Sequence, residues 1–146
     1  MQAPRAHIHI IRLLKVTPCT TRRGMECNDC HWTGSTFLLG VLDLHNVTGD
    51  AALLAYIRRW AEYYDYRVCG ERRWGRTDDT RLRHNVNHQL SGSIYVELFL
   101  RDRNRTHLRS TALLLGEEIA DAASVNFWAW VDLIHMAMNT YRFVDA

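Results

Sequence analysis

The stretch that decides the fold is residues 34–64, GSTFLLGVLDLHNVTGDAALLAYIRRWAEYY. Phe37, Leu38, Val41, Leu42 and His45 recur at helical spacing from Gly34 onward. The pattern stops where Asn46, Thr48 and Gly49 cluster, which marks a turn. Asp50 then stands where a helix N-cap is wanted, because its carboxylate can accept the unpaired amides of a first turn. Beyond it Leu53, Leu54, Ile57, Trp60 and Tyr64 fall on one face, while Arg58, Arg59 and Glu62 fall on the other. The stretch reads as an amphipathic helical hairpin.

Working outward, the same unit returns. A helix is expected from about His88 to Arg101, with Leu90, Ile94, Leu98 and Phe99 inward. The polar turn Asp102-Arg103-Asn104 follows, then a helix from about Thr106 to Ala122. Shifted by about 54 positions, Leu42-Asp43-Leu44 meets Val96-Glu97-Leu98, and Thr48-Gly49-Asp50 meets the second turn. Apolar, acidic and turn positions coincide, as in a repeat of helical hairpins. Between the hairpins, Arg67 to Asn87 carry no apolar period and read as a long connection. A fifth helix is expected from Phe127 to Arg142, capped by Asn126.

Composition bounds the rest. A chain of 146 residues is long enough for a core, and its 47% hydrophobic and 23% charged residues are those of a globular protein. The formal net charge of +2 calls for no nucleic-acid partner, and the arginine-rich segment from Arg67 to Arg83 is diluted by Glu71, Asp78 and Asp79. No apolar run approaches the roughly eighteen residues a membrane span needs. Residues 1–30 form a basic leader, with Arg5, Arg12, Lys15, Arg22 and Arg23 and no acid before Glu26. The four cysteines, Cys19, Cys27, Cys30 and Cys69, are too few for a disulfide scaffold and are expected to be free thiols, which favours a cytoplasmic setting. Cys27-Asn-Asp-Cys30-His31 matches the C-x-x-C-H haem-attachment pattern, but a second axial ligand and an export route are not evident, and for zinc a second ligand pair has only a loose match in Cys69 with His84 or His88, so no metal or cofactor is expected. Asn46-Val-Thr and Asn104-Arg-Thr are formal glycosylation sequons, both placed at expected hairpin turns.

Two constellations could carry chemistry. In Asn126-Phe-Trp-Ala-Trp-Val-Asp-Leu-Ile-His-Met-Ala-Met, helical steps of four, three and four put Trp128, Asp132, His135 and Asn139 on one face. A carboxylate beside tryptophan loses solvent, its pKa rises, and it can deliver a proton near neutral pH. Tryptophan also stacks on the apolar face of a sugar. The same spacing fits an amphipathic helix whose Asp132 simply faces water. In Arg83-His-Asn-Val-Asn-His-Gln-Leu-Ser-Gly, the groups of Asn85, Asn87 and His88 sit at a loop-to-helix junction, where they could bind a substrate or merely cap the helix.

These blocks resemble the unsaturated glucuronyl and rhamnogalacturonyl hydrolases, glycoside hydrolase families 88 and 105. Trp128-Ala-Trp-Val-Asp132-Leu-Ile-His135-Met-Ala is similar to their W-x-W-x-D-x-x-x-M-A segment. His31-Trp-Thr-Gly with Phe37, Gly40 and Thr48-Gly49-Asp50 is similar to their first helix and T-G-D turn. His84 to Gly92, with Tyr95, Glu97 and Leu98, is similar to their second block. The resemblance covers about residues 31–146 and implies an all-α fold, helical hairpins of an (α/α)6 barrel. About two and a half hairpins are legible here, against six in a full ring of roughly 300 residues at this spacing. It implies a substrate with a 4,5-unsaturated uronic acid at the non-reducing end, a pectin- or glycosaminoglycan-derived oligosaccharide, and no cofactor. Asp132 falls on the proton donor, and Asn87, His88, Trp128 and His135 fall near the sugar. Asn87 stands where the family carries a second aspartate, and an amide cannot ionise. A fragment or inactive homologue is therefore expected, with self-association through exposed hairpin edges. The alternative is a non-catalytic helical-repeat protein that binds a carbohydrate or a protein.

Overall fold

The computed structural model describes Cys30 and residues 32–68 and 86–120. Among these every regular element is helical: α1 (Trp32–Thr48), α2 (Ala51–Tyr63), α3 (Val86–Asp102), a single 3-10 turn (Arg105–Leu108) and α4 (Arg109–Ala120). The basic leader, the greater part of the long connection and the expected fifth helix lie outside the described residues. None of the described helices is long and apolar enough to cross a membrane.

The first hairpin closes as its sequence dictates. The amide of Gly49 returns to the His45 carbonyl at 2.7 Å, and Gly49 takes φ +69°. An added Cβ would meet nothing within 4 Å there, so the demand for glycine is conformational rather than steric. Asp50 accepts from Ala52 N at 2.8 Å and caps α2. The second hairpin closes differently. Arg103 adopts the left-handed conformation at φ 57°, with its guanidinium 5.7 Å from the Phe99 ring. Asn104 then caps the 3-10 turn by accepting from Thr106 N at 3.1 Å. The expected fourth helix thus begins as one tight turn and becomes α-helical only at Arg109. Both sequon asparagines have structural work: Asn104 as this cap, and Asn46 as acceptor from Arg101.

The contact from Arg101 Nη2 to Asn46 Oδ1, 2.7 Å across 55 positions, ties the C-terminal ends of α1 and α3 together. The two helices, 17 residues each, pack along one another, so their N-terminal ends also lie at one end of the molecule. The separation of 55 is close to the shift that superposes the two hairpins in sequence. One core joins them: Leu38, Val41 and Leu42 from α1, Leu53, Ile57 and Ala61 from α2, Ile94, Tyr95 and Leu98 from α3, and Leu114 from α4.

Three sequence expectations change. Helix α3 starts at Val86, so Asn87 belongs to its first turn rather than to the connection. Every residue from Gln89 to Val96 is buried, including Ser91 and Ser93, and Phe99 is only partly so. A helix enclosed by neighbours on all sides has no solvent face for a pattern to reveal. The third change concerns the thiols. Cys30 is disulfide-bonded, to a residue outside the described set, and packs against Tyr64 and Trp60, which overturns the free-thiol expectation at that position.

Truncating Ile57 to alanine removes a side chain with no exposed surface at the junction of three helices. It is expected to cost about 2–5 kcal/mol in denaturant unfolding with an unchanged m-value, whereas Val47→Ala, at a residue 86% exposed, stays within about 0.5 kcal/mol. Equal losses at the two positions would contradict this core.

Candidate functional site

The shared N-terminal end of α1 and α3 is where the sequence candidates that can be placed come together. Helix α3 holds Asn87 and His88 in its first turn, and α1 opens on Trp32, which stays 42% exposed. Below Trp32, Ser35 Oγ donates to the Cys30 carbonyl at 3.0 Å and fixes the approach of the chain to α1. Next to His88, the amide of Gln89 donates to the Glu118 carboxylate, which fastens the end of α4 to the start of α3. Trp32 is the residue the spacing argument undervalued at this end. Its signal was its place at the head of a helix, ahead of the apolar stripe rather than on it. Asp132, Trp128 and His135 lie outside the described residues, so the carboxylate, the two aromatic groups and Asn87 are not brought together among them. Neither is any group of three or more metal-ligating side chains.

A second cluster forms near the other end of α3, where the chain leaving α2 crosses the second hairpin. Asp65 and Tyr66 both take left-handed backbone, at φ 54° and 53°, a conformation that costs a non-glycine residue roughly 1–2 kcal/mol. Contacts further along the chain hold it. Tyr95 Oη donates to the Arg67 carbonyl at 2.8 Å, and Val68 N donates to Ser110 Oγ at 3.0 Å. The Tyr66 ring lies flat on His107, centroids 3.8 Å apart and planes 2° off parallel, with Tyr95 tilted against it at 5.6 Å.

His107 is itself oriented from the hairpin turn. Asn104 Oδ1 accepts from Thr106 N and from Thr106 Oγ1, so the amide Nδ2 donates to His107 Nε2 at 3.1 Å. Nε2 is then the acceptor, and the ring proton sits on Nδ1. That nitrogen is 3.4 Å from Asp102 Oδ1, too long for a well-formed hydrogen bond, and it makes no other among the described residues. Burial raises the Tyr66 phenol above its ordinary value, the carboxylates of Glu62 and Asp102 raise it further, and Arg58 opposes them. The contacts that hold Tyr66, Arg67 and Val68 to Tyr95, His107 and Ser110 join positions 28 to 42 residues apart, and no local motif in the sequence announces them.

Neither a family model, nor a curated protein, nor a solved structure matches this chain.

Because the folded chain holds the Tyr66 proton more tightly than the unfolded chain, the stability that the neutral phenol supports is complete below about pH 10 and is lost as pH rises through the folded value. Tyr66→Phe keeps the ring stack and removes the ionisable group. Chemical denaturation at a series of pH values is expected to show a shallower loss above pH 10.0 for the variant. Parallel losses in both proteins would show that Tyr66 carries no such linkage.

Proposed function

We propose that this chain is a helical-hairpin glycoside hydrolase domain of the unsaturated uronyl type, and that Asp132 protonates the double bond of a 4,5-unsaturated uronic acid. Water then adds across the bond, the hemiketal opens, and the sugar is released. The observation that carries the reading is the common end of α1 and α3, where an exposed tryptophan, Trp32, stands on the side of the fold from which Asn87 and His88 begin α3. An exposed indole suits the apolar face of a sugar ring, and asparagine and histidine are residue types that bind its rim of hydroxyls. The order of the three sequence blocks, and the return of one hairpin at nearly constant offset, support the (α/α)6 class of architecture for it.

In this reading each residue has a role its chemistry permits. Asp132, beside Trp128, holds the proton that is transferred. Asn87 and His88 bind sugar hydroxyls, and Asn87 does so without exchanging a proton. Trp32 and Trp128 supply stacking surfaces, and His135 lies one helical turn beyond Asp132 on the same stripe. The exposed apolar side chains of Phe37, Leu113 and Ile119, each at least half accessible, are the hairpin edges through which a further copy would associate.

The amide at Asn87 favours a second reading, a carbohydrate-binding helical-repeat protein without turnover. The two separate cleanly. Incubated with an unsaturated uronyl disaccharide, the hydrolase removes the ultraviolet absorbance of the double bond. Asp132→Asn is then expected to slow that loss by about 10²-fold or more, while Asn87→Asp raises kcat and Trp32→Ala acts mainly on KM. Unchanged absorbance with saturable binding selects the non-catalytic protein. Unchanged absorbance without binding removes both.

A further inference from the structure

We propose that His107 and Asn104 form a proton-operated latch on the second hairpin turn, in which protonation of His107 turns the Asn104 amide and releases its cap on Thr106. The inference is independent of the uronyl reading above.

The closed latch is a set of complementary hydrogen bonds. His107 is buried, and its neutral ring has one acceptor, Nε2, which takes the Asn104 Nδ2–H at 3.1 Å. That bond fixes the amide so that Oδ1 faces Thr106, accepting from its N at 3.1 Å and from its Oγ1 at 2.8 Å. One amide therefore reads the ring with its nitrogen and caps the 3-10 turn with its oxygen. Histidine is the side chain that exchanges a proton between about pH 5 and pH 8. An imidazolium carries N–H on both nitrogens, so Nε2–H and the Asn104 Nδ2–H would point at one another. Turning the amide over removes the repulsion, because Oδ1 then accepts from Nε2–H. Nδ2 is left facing Thr106, whose hydroxyl can accept where its backbone N–H cannot. The cap on Thr106 N is the bond that is lost, and Thr106 is exposed, so water can replace it.

The surroundings supply what the added charge needs. Nδ1 makes no hydrogen bond among the described residues, and it stands 3.4 Å from Asp102 Oδ1. A charged ring would draw that carboxylate into a shorter, charge-assisted bond. Asp102 is already anchored in the turn, where its Oδ1 accepts from Asn104 N at 3.1 Å. The Tyr66 ring lies flat on His107 with centroids 3.8 Å apart, and an aromatic face attracts a cation. Asp102 comes from α3 and Tyr66 from the exit of α2, where Glu62 and Arg58 act on Tyr66 with opposite sign. Asp65 and Arg67, beyond Tyr66, face each other. In the turn itself Arg103 lies over Phe99, and Arg105 and Arg109 are exposed. Asp102 is thus the one charged group in ion-pair contact with the ring among the described residues.

The test follows the full, isotope-labelled chain by NMR from about pH 8 to about pH 5. At the upper end the His107 ring is expected to show the Nδ1–H tautomer, with scalar coupling across the Asn104 Nδ2–H to Nε2 bond. On acidification that coupling is lost, and the Thr106 amide moves with the same midpoint as the His107 ring. Asn104→Asp offers a carboxylate that accepts from Thr106 N and from Nε2–H together. It is expected to raise the ring midpoint by about one pH unit or more and to uncouple Thr106 from it. His107→Phe keeps a ring on Tyr66 and is expected to leave the Thr106 amide insensitive to pH across this range. The proposal is overturned if the coupling is absent at the upper end or if the ring stays neutral throughout. It is overturned equally if His107 titrates without moving Thr106, or if His107→Phe keeps the Thr106 response. No unsaturated sugar enters the experiment, so failure here leaves the uronyl reading to its own assay.

Discussion

The packing of α3 against both arms of the first hairpin is the constraint on which everything else in this fold depends. Isolated helices of this length are marginal in water, so α1 to α4 persist because apolar faces meet. Ile94, Tyr95 and Leu98 enter the same core as Leu38, Leu42, Leu53 and Ile57, and no one of the three helices could be withdrawn without opening it. Burying a side chain of this kind stabilises by about 1.5–3 kcal/mol, several times the worth of an exposed ion pair. The Arg101 link to Asn46 therefore sets register more than stability, and it does so at the ends where a slip between parallel helices would start.

From this packing both clusters follow. Fixing α1 and α3 side by side gathers Trp32, Asn87 and His88 at one end. Short turns return α2 and α4 antiparallel to them, and the strained step through Asp65 and Tyr66 is then forced across the second hairpin. There the aromatic stack on His107 and the two pinned backbone groups offset the conformational cost.

What the sequence disclosed was local. Asp50 as cap, Gly49 as the left-handed turn, and the run from Leu53 to Ile57 are each decided within a few residues, and each was legible. The burial of Ser91, Ser93 and Val96 was not, because it depends on helices packed around α3 on every side. The earlier start of α3 at Val86 and the 3-10 turn ahead of α4 are end effects set by capping and tertiary contact. The pairing of Tyr66 with His107 joins residues of two different hairpins, and the disulfide at Cys30 is a pairing that cysteine count and spacing did not disclose. The candidate site divides in the same way. Trp32, Asn87 and His88 can be placed on the fold, whereas the argument for Asp132, Trp128 and His135 rests on helical spacing and family resemblance.

Native-state hydrogen exchange tests the central claim most directly. If one core binds the two hairpins, amides near Leu38 to Leu42, Leu53 to Ile57 and Leu90 to Leu98 share the slowest exchange and open with the free energy of global unfolding. If the α1–α2 amides exchange through a separate opening of much lower free energy while α3 and α4 remain protected, the hairpins are independent and the account of α3 as their common support is wrong.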